Sequence, residues 1–188
     1  MSNTISGVRD WLRISVKARQ QLKVGKPKGW EYGCMEEYVD DNGVDFTSQE
    51  LTYDEMAIVV RAIDDARMRF QIKQCFYNAQ MLVLADRNNK LVYHEGYAFG
   101  RAIIAVQHGW ASINGKVIDL TWRLDQTIRK SGRLKDRVIG VYPEGFEYVG
   151  VPFPDKDALR TKMLERGWCG SLIDDWENDW PLIRGNLE

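Results

Sequence analysis

The spacing of apolar residues changes character along the chain. Trp11, Leu12, Val16 and Leu22 fall at helical intervals before Gly25, Pro27 and Gly29 break the run, so the pattern predicts a first helix and then a loop. Thr52 and Glu55 have the spacing of a capping box, in which the hydroxyl takes a free helix amide and the carboxylate reaches back. Behind it Met56, Val59, Val60, Ile63, Ala66 and Phe70 form one apolar stripe over about four turns, which predicts a helix docked on a core. Gln71 to Ala85 is apolar nearly all round and reads as a buried helix, with no Gly or Pro separating it from the one before.

After the turn cluster Asp86-Arg87-Asn88-Asn89 the content shifts to Val, Ile and aromatic residues. Leu91 to Tyr97, Ala102 to Ile113, Lys116 to Trp122 and Arg137 to Tyr142 read as strands, and Phe146 to Val151 adds a candidate fifth. Asp155 to Arg166 reads as a helix with Ala158, Leu159, Met163 and Leu164 inward and Gly167 as its stop. The tail sets Trp168, Trp176 and Trp180 among acids, and is read as aromatics pinned to the body with the acids outward. One domain over residues 1–188 is expected: a helical and acidic-loop region over 1–50, a helix-plus-sheet core over 51–153, and a C-terminal helix with its Trp-rich tail over 154–188.

Charge adds little at the level of the whole chain and more locally. The 26 basic and 27 acidic residues leave a formal charge of −1, so no bulk field favours nucleic acid or an anionic membrane. Arg9 to Lys28 carries seven basic residues against one acidic, and Glu31 to Asp65 eleven acidic against one basic, read as a solvated helix face and an acidic loop. Arg123, Arg129, Lys130, Arg133, Lys135 and Arg137 make the segment after residue 122 basic, read as a solvated connection. The N-terminus has no signal-peptide pattern and no window has the apolar length of a membrane span. Cys34, Cys75 and Cys169 are odd in number and widely spaced, which suits a reducing, cytoplasmic compartment rather than a disulfide framework. No metal-ligand spacing and no phosphate-binding glycine loop occurs, so no metal and no cofactor are expected.

The candidate chemistry begins at Asn114-Gly115, the dipeptide best suited to a two-residue type I′ hairpin. That turn sets Ile113 opposite Lys116, Ala111 opposite Ile118, Trp110 opposite Asp119 and His108 opposite Thr121. Alternation then puts His108, Trp110, Asp119 and Thr121 on one face, with His108 diagonal to Asp119 and within its reach. A carboxylate that accepts one ring N–H fixes the tautomer and leaves the other nitrogen as a base. Cys75 supplies a nucleophile if it sits at a helix start, where the dipole and a nearby imidazolium favour thiolate. Its own N–H is then one oxyanion donor, with Gln74, Gln71 or Asn78 as candidates for a second.

The segments Cys75-Phe76-Tyr77-Asn78-Ala79, Glu95-Gly96-Tyr97-Ala98, His108-Gly109-Trp110 and Asp119-Leu120-Thr121-Trp122 resemble the Cys, His and Asp signatures of transglutaminase-like cysteine enzymes, a branch of the papain-like thiol hydrolases. The resemblance covers residues 71–122. It implies an α+β fold in which a buried helix carrying Cys75 packs on an antiparallel sheet carrying His108 and Asp119. It also implies thioester chemistry by a Cys75-His108-Asp119 triad: amide, peptide or isopeptide hydrolysis, deamidation, transglutaminase-type cross-linking or acyl transfer. Lys73-Gln74-Cys75 stands where Gly-x-Cys is usual, Gly109 where alanine is commoner, and the papain-type glutamine upstream is not in its place.

Trp110, Trp122, Tyr77 and Tyr97 are candidates to line the substrate cleft by proximity to the triad. The expected partner is a protein or peptide substrate, or a small acyl donor, with no membrane and no strong nucleic-acid signal. Cys34, Cys169 and His94 are read as bystanders. Two alternatives stay open: a catalytically inactive protein-binding module on the same fold, and a thioester-dependent N-acyltransferase.

Overall fold

The computed structural model describes residues 7–47, 49–67, 69–100, 104–122 and 146–185. The strand expected over Arg137 to Tyr142 and the basic segment from Arg123 lie outside the described residues. In chain order the helices are α1 (Val8–Gln21), α2 (Met35–Asn42), α3 (Tyr53–Asp65), α4 (Cys75–Ala85), α5 (Lys156–Arg166) and α6 (Pro181–Arg184). The strands are β1 (Val44–Thr47), β2 (Val92–Phe99), β3 (Val106–Ile113), β4 (Lys116–Ile118) and β5 (Glu147–Phe153). They form an α+β structure around one antiparallel sheet of order β1-β5-β2-β3-β4.

The sheet curls until its edge strands β1 and β4 approach each other. Its inner face gathers Phe46, Ala98, Trp110, Val117 and Tyr148, one from each strand. The backbone must come close to Trp110 for this: a Cβ on Gly150 would lie 2.3 Å from the Trp110 ring and 2.9 Å from the Glu95 carbonyl oxygen. The outer face carries the helices. Val59, Ala62, Leu82 and Leu159 from α3, α4 and α5 pack on Tyr93, Ala111 and Ile113, while Val8, Leu12 and Val39 from α1 and α2 pack on Tyr97, Val149 and Val151.

The hairpin has the turn its dipeptide predicts, with Asn114 at φ 49° and Gly115 at φ 78°. The ladder pairs Ile113 with Lys116, Ser112 with Val117 and Ala111 with Ile118 and then stops. Residues 120–122 are helical instead of extended, so the expected strand to Trp122 ends at Ile118 and His108 does not face Thr121. Asp119 causes the change, since its Oδ1 accepts the Trp122 N–H at 3.1 Å as a helix cap.

The capping box at α3 is present, and its Glu55 has a second duty. Besides holding the Thr52 amide at 2.7 Å, it accepts from Asn114 at 2.9 Å and from Lys116 at 2.8 Å, which pins the hairpin tip to α3. Lys116 first, then Asn114, pull its carboxyl down to about 2.

Several expectations are corrected. The acidic stretch read as a loop contains α2 and β1. Here the opposite charge blocks partner each other: the Arg9 guanidinium reaches Asp45 at 3.1 Å, Asp40 at 3.1 Å and the Gly43 carbonyl at 2.6 Å, while Arg13 adds Asp40 at 3.3 Å. In α1 the buried residues are Val8 and Leu12, and Leu22 is exposed. α3 stops at Asp65 short of Phe70, with Val60 exposed. In α5 only Leu159 is buried, with Ala158 and Leu164 outward. Of the tail tryptophans, Trp180 is tied to Asp174 through its indole N–H at 2.8 Å, whereas Trp168 and Trp176 are exposed. Asp175 points inward, against Arg166.

Candidate active site

The helix that carries Cys75 begins at Cys75 itself, not at Gln71. Lys73 takes a positive φ of 64°, which no helix continues through, and Gln74 leaves the helical region at φ −112°, ψ 57°. The break needs neither Gly nor Pro because a side chain imposes it. Asn78 Oδ1 accepts the Gln71 N–H at 2.9 Å, and its Nδ2 donates to the Gln71 carbonyl at 2.6 Å, holding the backbone before the helix in a closed turn. Gln74 makes no side-chain cap at the start of α4.

Cys75 is half-buried and lies near enough to His108 to act on it electrostatically. The ring's Nε2–H donates to Asp119 Oδ2 at 2.7 Å. Asp119 Oδ2 also accepts the Tyr148 hydroxyl at 3.2 Å, and Oδ1 caps the following helical turn. Burial opposes charge on His108, but the Asp119 charge and hydrogen bond outweigh it, and Cys75 adds to them, so the imidazole is held well above its ordinary range. Trp122 stacks over the ring with centroids 4.4 Å apart at 25°.

Helix and strand meet closely because residue 109 is glycine. A Cβ there would lie 2.8 Å from Phe76 Cδ1 and 3.3 Å from Phe76 Cα, inside the first turn of α4. Tyr93, fully buried, lies on the same side, with its hydroxyl donating to Glu95 at 3.0 Å. Glu95 in turn accepts the Ser171 hydroxyl and the amides of Leu172 at 2.7 Å and Ile173 at 3.1 Å, and Gln80 donates to the Gly170 carbonyl at 2.7 Å. This layer beneath the thiol, together with Tyr148, carries no local signal in the sequence. Its members come from β2, α4, β5 and the segment after α5, which only the fold assembles.

Other candidates fall out on geometry. Asn78 cannot donate to an oxyanion, because both amide hydrogens are taken, one by Gln71 and one by Thr121 Oγ1 at 2.7 Å. Gln71 and Gln74 are exposed and stand just ahead of the helix. Trp110 is wholly enclosed on the inner face, and Tyr97 is buried against Trp11 at 5.2 Å, so neither lines a cleft at the thiol. Tyr77 and Trp122 are half-buried, and Trp122 covers the His108 ring. His94 bonds Ser112 Oγ at 2.7 Å and stacks on Trp110, and burial pushes it down to about 3. Burial pushes the Cys34 thiol up to about 11 and raises Cys169 as well.

Among the described residues no three His, Cys, Asp or Glu side chains gather as metal ligands, and no helix is long and apolar enough to cross a membrane. A cleft of about 320 Å³ lined by Phe153, Leu159, Lys162, Leu172 and Leu182 contains none of the three triad residues. Comparison with protein-family models, with curated proteins and with solved structures finds no match to this chain.

Proposed function

We propose that this chain is a cysteine-dependent acyl-transfer enzyme of the transglutaminase-like, papain-like kind, with Cys75 as nucleophile, His108 as acid and base, and Asp119 as its orienter. The observation that carries the reading is a thiol at the first residue of a helix, beside an imidazole whose Nε2 lies 2.7 Å from a buried carboxylate. Each group also occurs as ordinary structure. Their grouping, with the thiol at a helix start, is what acyl transfer requires.

In the proposed reaction the Cys75 proton resides on His108 Nδ1 and the sulfur attacks the carbonyl carbon of an amide. The tetrahedral oxyanion takes the Cys75 N–H. Collapse breaks the C–N bond, and the amine departs with the proton from His108, leaving a thioester. Water, deprotonated by His108, then attacks the thioester carbonyl, and the thiol is regenerated with release of the acid. An amine in place of water gives transfer, so hydrolysis, deamidation and cross-linking share every step but the last.

The test is mixing with p-nitrophenyl acetate followed by intact-mass analysis. A p-nitrophenolate burst with one acetyl group on Cys75, lost in Cys75→Ser and in His108→Ala, supports the reading. Acetylation spread over surface lysines, unchanged in both variants, rejects it in favour of a binding module on the same fold.

A further inference from the structure

The reading of Cys75, His108 and Asp119 as a triad leaves open what fixes the helix bearing Cys75 relative to the turn bearing Asp119. His108 bonds Asp119 and lies near Cys75, but it is a side chain that can rotate, and the two segments belong to different elements. We infer that Asn78, acting through Thr121, is the positioning residue of this site, a bracket that sets the span between the start of α4 and the Asp119 turn.

Asn78 stands three residues after Cys75, hence on the same side of the helix one turn in. It is almost wholly buried, as is Thr121. Every hydrogen-bonding group of its amide is engaged. The carbonyl oxygen and one hydrogen close on the Gln71 peptide at 2.9 and 2.6 Å and define where the helix begins. The other hydrogen crosses to Thr121 Oγ1 at 2.7 Å. Thr121 lies in the helical turn that Asp119 caps through the Trp122 N–H at 3.1 Å. One amide therefore ties Gln71 ahead of the helix, the helix and the Asp119 turn together, and a buried bond of the length of that to Thr121 tolerates little displacement. A leucine would fill the space equally well but has no directional bond with which to set the span.

The test measures iodoacetamide alkylation of native protein at pH 6 and pH 9, mapped by mass spectrometry, in wild type, His108→Ala, Thr121→Val, Thr121→Ser and Asn78→Asp. Wild type against His108→Ala decides the triad reading, since a thiol activated by His108 loses its reaction at pH 6 in that variant. Given that loss, Thr121→Val, which keeps the shape and removes the acceptor, is expected to lower the pH 6 to pH 9 rate ratio of Cys75 by about tenfold, the scale of a displacement below 1 Å at a reacting centre. Asn78→Asp, which keeps the acceptor for the Gln71 amide and removes both donors, is expected to do the same. Thr121→Ser restores the hydroxyl and is expected to restore the ratio, with the Cys34 and Cys169 rates unchanged throughout. A merely structural role predicts a lower Tm in Thr121→Val with the Cys75 ratio intact, and that result overturns the inference while leaving the triad standing. A Cys75 reaction indifferent to His108 overturns both.

Discussion

Replacing Gly109 by alanine tests whether the close seating of α4 on β3 brings Cys75 to His108. The added methyl group would sit 2.8 Å from Phe76 Cδ1, 3.1 Å from the Tyr93 hydroxyl and 3.3 Å from Phe76 Cα. The Phe76 ring can turn aside, but its Cα belongs to the first turn of the helix. Tyr93 is held by Glu95 and cannot retreat without breaking that bond. The remaining relief is for the start of α4 to lift by a few tenths of an ångström. Overpacking costs about 1–3 kcal/mol and replacing a mid-strand glycine recovers about 0.5–1, so the net loss expected is centred near about 1 kcal/mol. For a chain of this length that is a fall in Tm of about 2–4 °C, readable by a circular dichroism melt. Alkylation of Cys75 at pH 6, measured on the same sample, is expected to slow because the thiol is carried away from the ring. A variant that melts at or above wild type and reacts at the wild-type rate refutes the reasoning, since residue 109 would then have room that the geometry denies it.

Asp119→Ala removes the partner of a buried imidazole together with a helix cap, and a loss of about 3–5 kcal/mol is expected in urea unfolding; a loss below about 1 kcal/mol, the scale of exposed ion pairs, contradicts the buried pair. Glu55 has its carboxyl lowered from 4.5 to about 2, so its contribution to stability is present above pH 4.5 and lost as pH falls towards 2. Lys116→Met removes the largest cause, and its Tm is expected to fall less steeply over that window than that of wild type; parallel curves would show that the Lys116 contact does not form. Arg9→Ala unclasps α1 from α2 and β1, with an expected cost of about 1–3 kcal/mol and faster amide exchange at Asp45 and Phe46; exchange unchanged at the β1 edge contradicts that role.

Most of what positions the candidate site is written locally, and the rest is not. The Asn114-Gly115 turn fixes the β3–β4 register from two residues, and that register carries the chain back alongside β3, while the helical turn that Asp119 caps sets its carboxylate against His108. The capping box at Thr52 and Glu55 is equally local. The start of α4 is not, because the residues that break the helix are a lysine at positive φ and an asparagine side chain reaching back, where periodicity sees one unbroken apolar run. The short strand β4 fails for a related reason: Asp119 caps a helical turn, a preference that β-forming neighbours such as Ile118 and Trp122 mask. α2 was hidden by its own charge, since its acids read as solvated until Arg9 and Arg13 are seen beside them. The Tyr93, Gln80 and Glu95 layer and the Tyr148 hydroxyl depend on which strands pair, which no local window contains.

The most direct measurement of the central claim is the rate of Cys75 alkylation by sub-stoichiometric iodoacetamide at pH 6, with the modified residue mapped by mass spectrometry, in wild type and His108→Ala. An ordinary thiol is almost entirely protonated there and reacts slowly. Rapid, selective modification of Cys75 that disappears in His108→Ala, with Cys34 and Cys169 slow in both proteins, is the expected result. Equal, slow reaction of all three thiols, unaffected by His108, would contradict it and leave the imidazole and carboxylate as a buried structural pair.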